Sequence, residues 1–103
     1  MEITVQYFDG CPNWKTAAAH LTTLVDDGLD ATIDYELIDS HDKAVARGFH
    51  GSPTVLIDGV DPFADDTSPV GLACRVYQTE EGNAGSPTLK QLRTVIAAAR
   101  EKS

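Results

Sequence analysis

The sequence holds two cysteines, Cys11 and Cys74, and the residues around Cys11 point to thiol chemistry. Cys11 follows a strand-like run that ends at Asp9-Gly10, and Pro12 suits the first turn of a helix. Unpaired N–H groups at a helix N-terminus favour a thiolate over a thiol. Cys11 is therefore a candidate nucleophile. The charge of Asp9 opposes its ionisation, and a buried, inert thiol is the alternative.

A later loop supplies further candidates for the same site. His50 precedes Gly51-Ser52-Pro53-Thr54, and an imidazole near the thiol would accept its proton or stabilise its thiolate. A solvated loop histidine is the alternative. Trp14 continues an apolar helical stripe, which favours packing under the Cys11 turn over a stacking platform for an apolar substrate.

The position of Cys74 relative to Cys11 is left open by the residues. If Cys74 begins a strand antiparallel to the strand after Pro53, the two cysteines lie roughly 15 Å apart, beyond the ~7 Å between Cα atoms that a disulfide tolerates. The stretch 60–73 is longer than a usual hairpin loop and could instead bring Cys74 back. Two separate thiols and a redox pair are both compatible with the sequence.

Acidic residues in the same stretch raise the question of a metal site. Their spacing does not match a calcium-binding loop, and the cysteines and histidines have no zinc-ligand spacing. We therefore predict a solvated acidic loop, no metal and no cofactor. The residues concerned are Asp61, Asp65, Asp66 and Thr67.

The pattern of apolar residues predicts one α/β domain over residues 1–103. Strands are predicted at 3–8, 32–38, 54–57 and 74–78, and helices from Pro12 to Gly28, from Ser40 to Gly48 and from a Ser86-Pro87 cap onward. The order is a βαβ unit, a helix, an antiparallel ββ pair and a C-terminal helix. A helical crossover implies that the first two strands are parallel.

Two motifs resemble the thioredoxin-like superfamily. They are Phe8-Asp9-Gly10-Cys11-Pro12-Asn13-Trp14 and Gly51-Ser52-Pro53-Thr54-Val55-Leu56-Ile57. The resemblance implies a three-layer thioredoxin-like fold and a cis Ser52-Pro53 bond. It also implies a substrate groove formed by Pro12, Trp14, Ser52 and Pro53, in which the Ser52 backbone pairs with an extended peptide.

A narrower resemblance concerns the string Gly-Cys-Pro-Asn-Trp together with Asp61-Pro62-Phe63 and Ala73-Cys74-Arg75. It is similar to small bacterial thioredoxin-family proteins, some of which are labelled alkylmercury-lyase-like. The chain departs from the family's Cys-x-x-Cys pattern because Trp14 occupies the place of the second cysteine. A second thiol within the motif is therefore missing, and resolution of a mixed disulfide must come from elsewhere.

These residues predict a thiol-dependent redox protein, similar to thiol-disulfide oxidoreductases, acting through Cys11 on protein or small-molecule thiols and disulfides. Glutathione or Cys74 would resolve the intermediate. One alternative is a soft-metal or organomercurial thiol protein, which requires Cys11 and Cys74 to lie close together. Another is a thioredoxin-like binding module without turnover.

Charge and hydropathy narrow the partners. A net charge of −8 makes nucleic acid and anionic membranes unfavourable partners. The first strand has no basic flank and ends at Asp9-Gly10, which argues against a signal peptide, and no segment has the length of a membrane span. We therefore expect a cytoplasmic protein.

Overall fold

The computed structural model describes residues 1–63 and 70–101, which form a three-stranded sheet, a two-stranded sheet and three helices. No helix in these residues is both long and apolar enough to cross a membrane. In chain order, the elements are β1 (Glu2–Tyr7), α1 (Trp14–Asp26), β2 (Thr32–Leu37), α2 (His41–Arg47), β3 (Thr54–Ile57), β4 (Tyr77–Thr79), β5 (Gly82–Ala84) and α3 (Leu89–Glu101).

Strand β1 is the centre of the larger sheet, whose order is β2-β1-β3. It runs parallel to β2, with Val5 opposite Tyr35, and antiparallel to β3, with Val5 opposite Val55. The parallel pair confirms the predicted βαβ unit, because strands joined by a helical crossover point the same way. The carboxyl end of β1 and the amino end of β3 consequently lie at the same edge of the sheet.

The main core lies between one face of this sheet and helices α1 and α3. Strand residues such as Val5 and Val55 contact apolar residues of α1 and α3 at helical spacing, as expected for amphipathic helices. The buried members of this cluster are Ile3, Val5, Ala17, Leu21, Leu24, Val55, Ile57, Leu92 and Ile96. A second, smaller cluster contains Ile38, Ala44 and Phe49, with Phe8 packed against it.

Helix α2 begins and ends as the sequence predicts. The Ser40 side chain accepts a hydrogen bond from the Lys43 N–H at 3.1 Å, which caps the N-terminus. Gly48 adopts the left-handed conformation at φ 63° and ends the helix. This helix leads into Phe49, which is fully buried, so the loop that follows it starts from a fixed position.

Helix α1 begins later than predicted, at Trp14 instead of Pro12. Cys11 and Pro12 lie in the preceding turn, where the Cys11 N–H donates to the Phe8 carbonyl at 3.2 Å and the Lys15 N–H to the Pro12 carbonyl at 3.1 Å. Cys11 is thus three residues before the first helical residue. Cys11 therefore lies in the turn before α1 and not in the first turn of the helix itself.

The predicted fourth strand at 74–78 is wrong in its bounds and in its partner. Strand β4 starts only at Tyr77 and pairs antiparallel with β5, whereas the described residues of β3 pair with β1. The segment before Tyr77 is held elsewhere by backbone hydrogen bonds to Ser52. Strand β5 was not predicted because Gly82-Asn83-Ala84 is exposed and lacks β-branched and aromatic residues.

The cap of α3 also differs from the prediction, which placed it at Ser86. The Thr88 hydroxyl accepts from the Gln91 N–H, and the Gln91 side chain accepts from the Thr88 N–H, each at 3.1 Å. This reciprocal pair is a capping box, which satisfies two N–H groups at once. The helix therefore starts at Leu89.

Candidate functional site

Cys11 and Cys74 are joined in a disulfide, although 63 positions separate them in the sequence. Their Cα atoms are 5.7 Å apart, within the usual range for this bond. The predicted separation of roughly 15 Å is wrong because Cys74 does not begin a strand antiparallel to β3. The alternative, in which the preceding stretch brings Cys74 back to Cys11, is the one that the structure adopts.

Residues Ala73, Cys74 and Arg75, named the bridge segment below, pair with Ser52 in a parallel arrangement. The Ser52 N–H donates to the Ala73 carbonyl at 2.8 Å, and the Arg75 N–H donates to the Ser52 carbonyl at 2.9 Å. The predicted cis Ser52-Pro53 bond is confirmed. The prediction that the Ser52 backbone is free to pair with an extended peptide is wrong for this disulfide form. The bridge segment already forms hydrogen bonds with both the N–H and the carbonyl of Ser52.

Gly51 allows the bridge segment to approach the loop before Pro53. Its φ is +107°, a conformation that other L residues rarely adopt. A side chain on this residue would place its Cβ 3.0 Å from the Ala73 carbonyl oxygen and 3.1 Å from the Arg75 Cβ. The close packing of the two segments therefore requires glycine at this position.

A buried ion pair fixes the end of the bridge segment. Arg75 and Asp61 form it at 2.6 Å, and their side chains are only 7% and 9% exposed. The Arg75 guanidinium also donates to the Thr54 hydroxyl at 3.4 Å and lies 4.6 Å from the centre of the Tyr77 ring. The predicted solvated loop is therefore wrong for Asp61, whose side chain is buried. The other residues of that prediction, Asp65, Asp66 and Thr67, lie outside the described residues.

Tyr77 joins this ion pair to the proline loop. Its hydroxyl donates to the Pro53 carbonyl, and its ring packs edge-to-face on Phe63 with centres 5.3 Å apart. Burial raises the pKa of Tyr77 well above its ordinary value of about 10, and the nearby Asp61 charge adds to this rise, while Arg75 opposes it. The phenol therefore stays protonated and keeps donating at neutral pH.

The two cysteines occupy different environments. Cys11 has no exposed surface, and its Sγ lies 3.6 Å from the Ser52 carbonyl oxygen. Cys74 is exposed and lines a groove together with Gly71, Gln78 and His50, of which His50 is half-buried. The buried hydroxyl of Ser52 has no hydrogen-bond partner in the described part of the chain. A reagent in solvent therefore meets Cys74 before Cys11.

The remaining predicted site residues, Pro12 and Trp14, follow Cys11 in the chain. Pro12 is exposed. Trp14 is half-buried against the main core, with its ring 4.4 Å from that of Tyr7 and 6.1 Å from that of Tyr35. These contacts give Trp14 a packing role between the Cys11 turn and the sheet.

The structure thus brings Cys11, Cys74, Ser52 and Pro53 together and places His50 on the groove beside Cys74. Sequence reasoning missed the residues that hold the bridge segment. They are Gly51, Asp61, Arg75 and Tyr77. One signal was available, since Asp61 and Arg75 each have mainly apolar neighbours in the sequence, and charged residues are rarely buried unless they are paired.

In residues 1–63 and 70–101, no three His, Cys, Asp or Glu side chains are grouped so that they could hold a metal ion. Comparison of the chain with protein-family models, with curated proteins and with solved structures gives no match. Function is therefore inferred from the geometry around the disulfide.

Replacing Asp61 with Asn should strongly destabilise the protein, because it leaves the Arg75 charge buried without a counter-ion. We expect the free energy of unfolding to fall by about 3 to 5 kcal/mol. The matched control is Asp27→Asn, which breaks an exposed pair with Arg93 at 3.9 Å and should cost at most about 1 kcal/mol. Urea unfolding with the disulfide intact measures both. A loss for Asp61→Asn as small as the control would show that the ion pair does not hold this region.

Stability should also decline at alkaline pH because of Tyr77. Its raised pKa means that, above about pH 10, the unfolded chain loses a proton that the folded protein keeps. This contribution is fully present below the unfolded pKa and is lost as pH rises towards the folded pKa. Between about pH 9 and pH 11, the natural protein should lose more stability than Tyr77→Phe. Equal losses, or phenolate absorbance from Tyr77 near pH 10, would contradict the burial argument.

Proposed function

We propose that this chain is a thiol-dependent redox protein of the thioredoxin-like type, in which Cys11 and Cys74 alternate between dithiol and disulfide. The observation that carries the proposal is the disulfide itself, positioned beside the Ser52-Pro53 loop. The resemblance to the thioredoxin-like superfamily implies a site in which the Cys-Pro turn lies beside the cis-proline loop, and the two lie together here. The substrates would be protein or small-molecule disulfides and thiols.

The reaction is a two-electron exchange. In the reducing direction, one protein thiolate attacks a substrate disulfide, forms a mixed disulfide and expels one substrate thiolate. The second protein thiolate then attacks the mixed disulfide, closes the Cys11–Cys74 bond and expels the second substrate thiolate. The protein loses two electrons and the substrate disulfide gains them. A dithiol donor restores the reduced protein by the reverse steps.

Cys74 supplies the thiol that the Cys-x-x-Cys pattern would place at position 14. A helix delivers the second cysteine in that pattern, whereas here the bridge segment delivers it across 63 positions of sequence. The hydrogen bonds of Ser52 and the Arg75–Asp61 pair do not involve sulfur. They can therefore hold Cys74 near Cys11 when the disulfide is open, which the resolving step requires.

The exposure of Cys74 supports a redox function over a purely structural disulfide. Exchange needs a sulfur that an external thiolate can reach, and exposed disulfides are characteristically the labile or catalytic ones. A structural bond would be expected to have both cysteines covered. Here only Cys11 is covered, and Cys74 borders a groove.

We expect the Cys11–Cys74 couple to have a reduction potential between about −270 and −180 mV, the range of thioredoxins and disulfide isomerases. Equilibration with glutathione redox buffers, followed by thiol trapping, measures it. With dithiothreitol as donor, the natural protein should reduce insulin, and Cys11→Ser and Cys74→Ser should each abolish this activity. Thr22→Ala, an exposed change on α1, is the control that retains it.

A potential below about −300 mV would instead identify a structural disulfide. Together with absent insulin reduction in a folded natural protein, that result would contradict the redox proposal. It would favour the binding module without turnover.

A second candidate, the soft-metal thiol protein, is favoured by the same closeness of the two cysteines. Reduced thiolates with Cα atoms 5.7 Å apart can share one soft ion such as Hg²⁺ or Cu⁺. Native mass spectrometry of the reduced protein with one equivalent of Hg²⁺ tests this. A 1:1 complex that resists competing glutathione, and that both single-serine variants lose, would support it. A complex no tighter than that of Cys74→Ser would exclude a shared site.

A further inference from the structure

We propose that Cys74, and not Cys11, is the sulfur that exchanges with external thiols and disulfides. This assignment rests on the proposed redox function and specifies it. It reverses the roles that the sequence motif predicts, in which the cysteine of the Cys-Pro turn attacks the substrate. The observations that carry it are the burial of Cys11 and the exposure of Cys74 within one bond.

Thiol-disulfide exchange has a directional requirement. The attacking sulfur approaches along the line of the bond that breaks, on the side opposite the leaving sulfur. Attack on Cys11 would have to come from the protein interior, because Cys11 has no exposed surface and lies under the bridge segment. Attack on Cys74 has to come from the side away from Cys11, and Cys74 is the exposed cysteine of the pair. Of the two sulfur atoms, an external thiolate can therefore attack that of Cys74 more readily.

The surface beside Cys74 provides room for the incoming group. Cys74 lines a groove whose other walls include Gly71 and Gln78, and His50 lies at the same groove. On the Cys11 side, the Ser52 N–H and carbonyl are both occupied by the bridge segment. A thiol can therefore approach Cys74 without displacing any of the backbone pairing that covers Cys11.

Reduction of the disulfide takes two exchange steps. An external thiolate RS⁻ attacks Cys74, forming an RS–Cys74 mixed disulfide and releasing the Cys11 thiolate. A second RS⁻ attacks the external sulfur of this mixed disulfide, giving RSSR and the Cys74 thiolate, and the protein has gained two electrons. In reverse, the Cys74 thiolate attacks RSSR and the Cys11 thiolate resolves the mixed disulfide. Cys74 is the exchanging residue and Cys11 the resolving residue in both directions.

The buried position suits Cys11 as the resolving thiol. Its Sγ lies 3.6 Å from the Ser52 carbonyl oxygen, and the hydroxyl of the same serine is buried without a partner in the described residues. Burial protects the Cys11 thiolate from external disulfides, so its accessible target is the mixed disulfide on Cys74.

The test traps the intermediate in the natural protein. The oxidised protein is mixed with reduced glutathione, quenched at early times with acid, guanidinium and excess N-ethylmaleimide, and mapped by peptide mass spectrometry. We expect glutathione on Cys74 and maleimide on Cys11, at least tenfold over the opposite pattern. Glutathione mainly on Cys11, or equally on both, would overturn the assignment while leaving the redox function standing. Absence of any exchange would overturn both.

Single-cysteine variants test the reverse direction. Folded Cys11→Ser, which keeps only Cys74, should form a mixed disulfide with oxidised glutathione at least tenfold faster than folded Cys74→Ser. Circular dichroism confirms that each variant is folded. Because the Ser52 hydrogen bonds and the Arg75–Asp61 pair do not involve sulfur, the bridge segment should still cover Cys11 in Cys74→Ser, so a comparable rate in that variant would count against the protective role of burial. The trapping result on the natural protein decides the assignment in any case.

Discussion

The two backbone hydrogen bonds of Ser52 set the position of everything that bears on the candidate site. They join the loop before β3 to the bridge segment, so a residue far along the chain lies directly over the turn that carries Cys11. The glycine at position 51 permits the close approach, and Pro53, on the other side of Ser52, accepts a hydrogen bond from Tyr77. This pairing therefore helps to keep the second cysteine next to the first when the disulfide is open.

The Arg75–Asp61 pair adds specificity to that arrangement. Removing two charges from water costs several kcal/mol per ion, and this cost is recovered only with good geometry and further hydrogen bonds. Here the guanidinium contacts Asp61, the Thr54 hydroxyl and the face of the Tyr77 ring. These partners come from different parts of the chain. These contacts form at one register of the bridge segment, since a shift by one residue would turn the arginine to the opposite face, away from all three partners.

Much of the fold follows from local sequence patterns, and the part that does not is the part that forms the site. The alternation in β1, the helical period of α1 and the cap at Ser40 depend on neighbouring residues, so the sequence predicts them. The region after β3 depends on contacts between distant residues. Gly82-Asn83-Ala84 has no residues that favour a strand. The pairing of Arg75 with an aspartate fourteen positions earlier leaves no periodic pattern in the sequence. The cis Ser52-Pro53 bond was predicted only through a resemblance, because a local pattern does not determine it.

The loop closed by the disulfide contains α1, β2, α2 and β3, so most of the larger sheet is assembled inside a covalent ring. A cross-link of this span lowers the conformational entropy of the unfolded chain, which stabilises the folded state by roughly 4 kcal/mol. By thermodynamic linkage, the folded structure raises the effective concentration of one thiol at the other by the same free energy. Folding and oxidation therefore reinforce each other. A substitution that loosens the bridge segment in the folded protein weakens both, even if it touches neither sulfur.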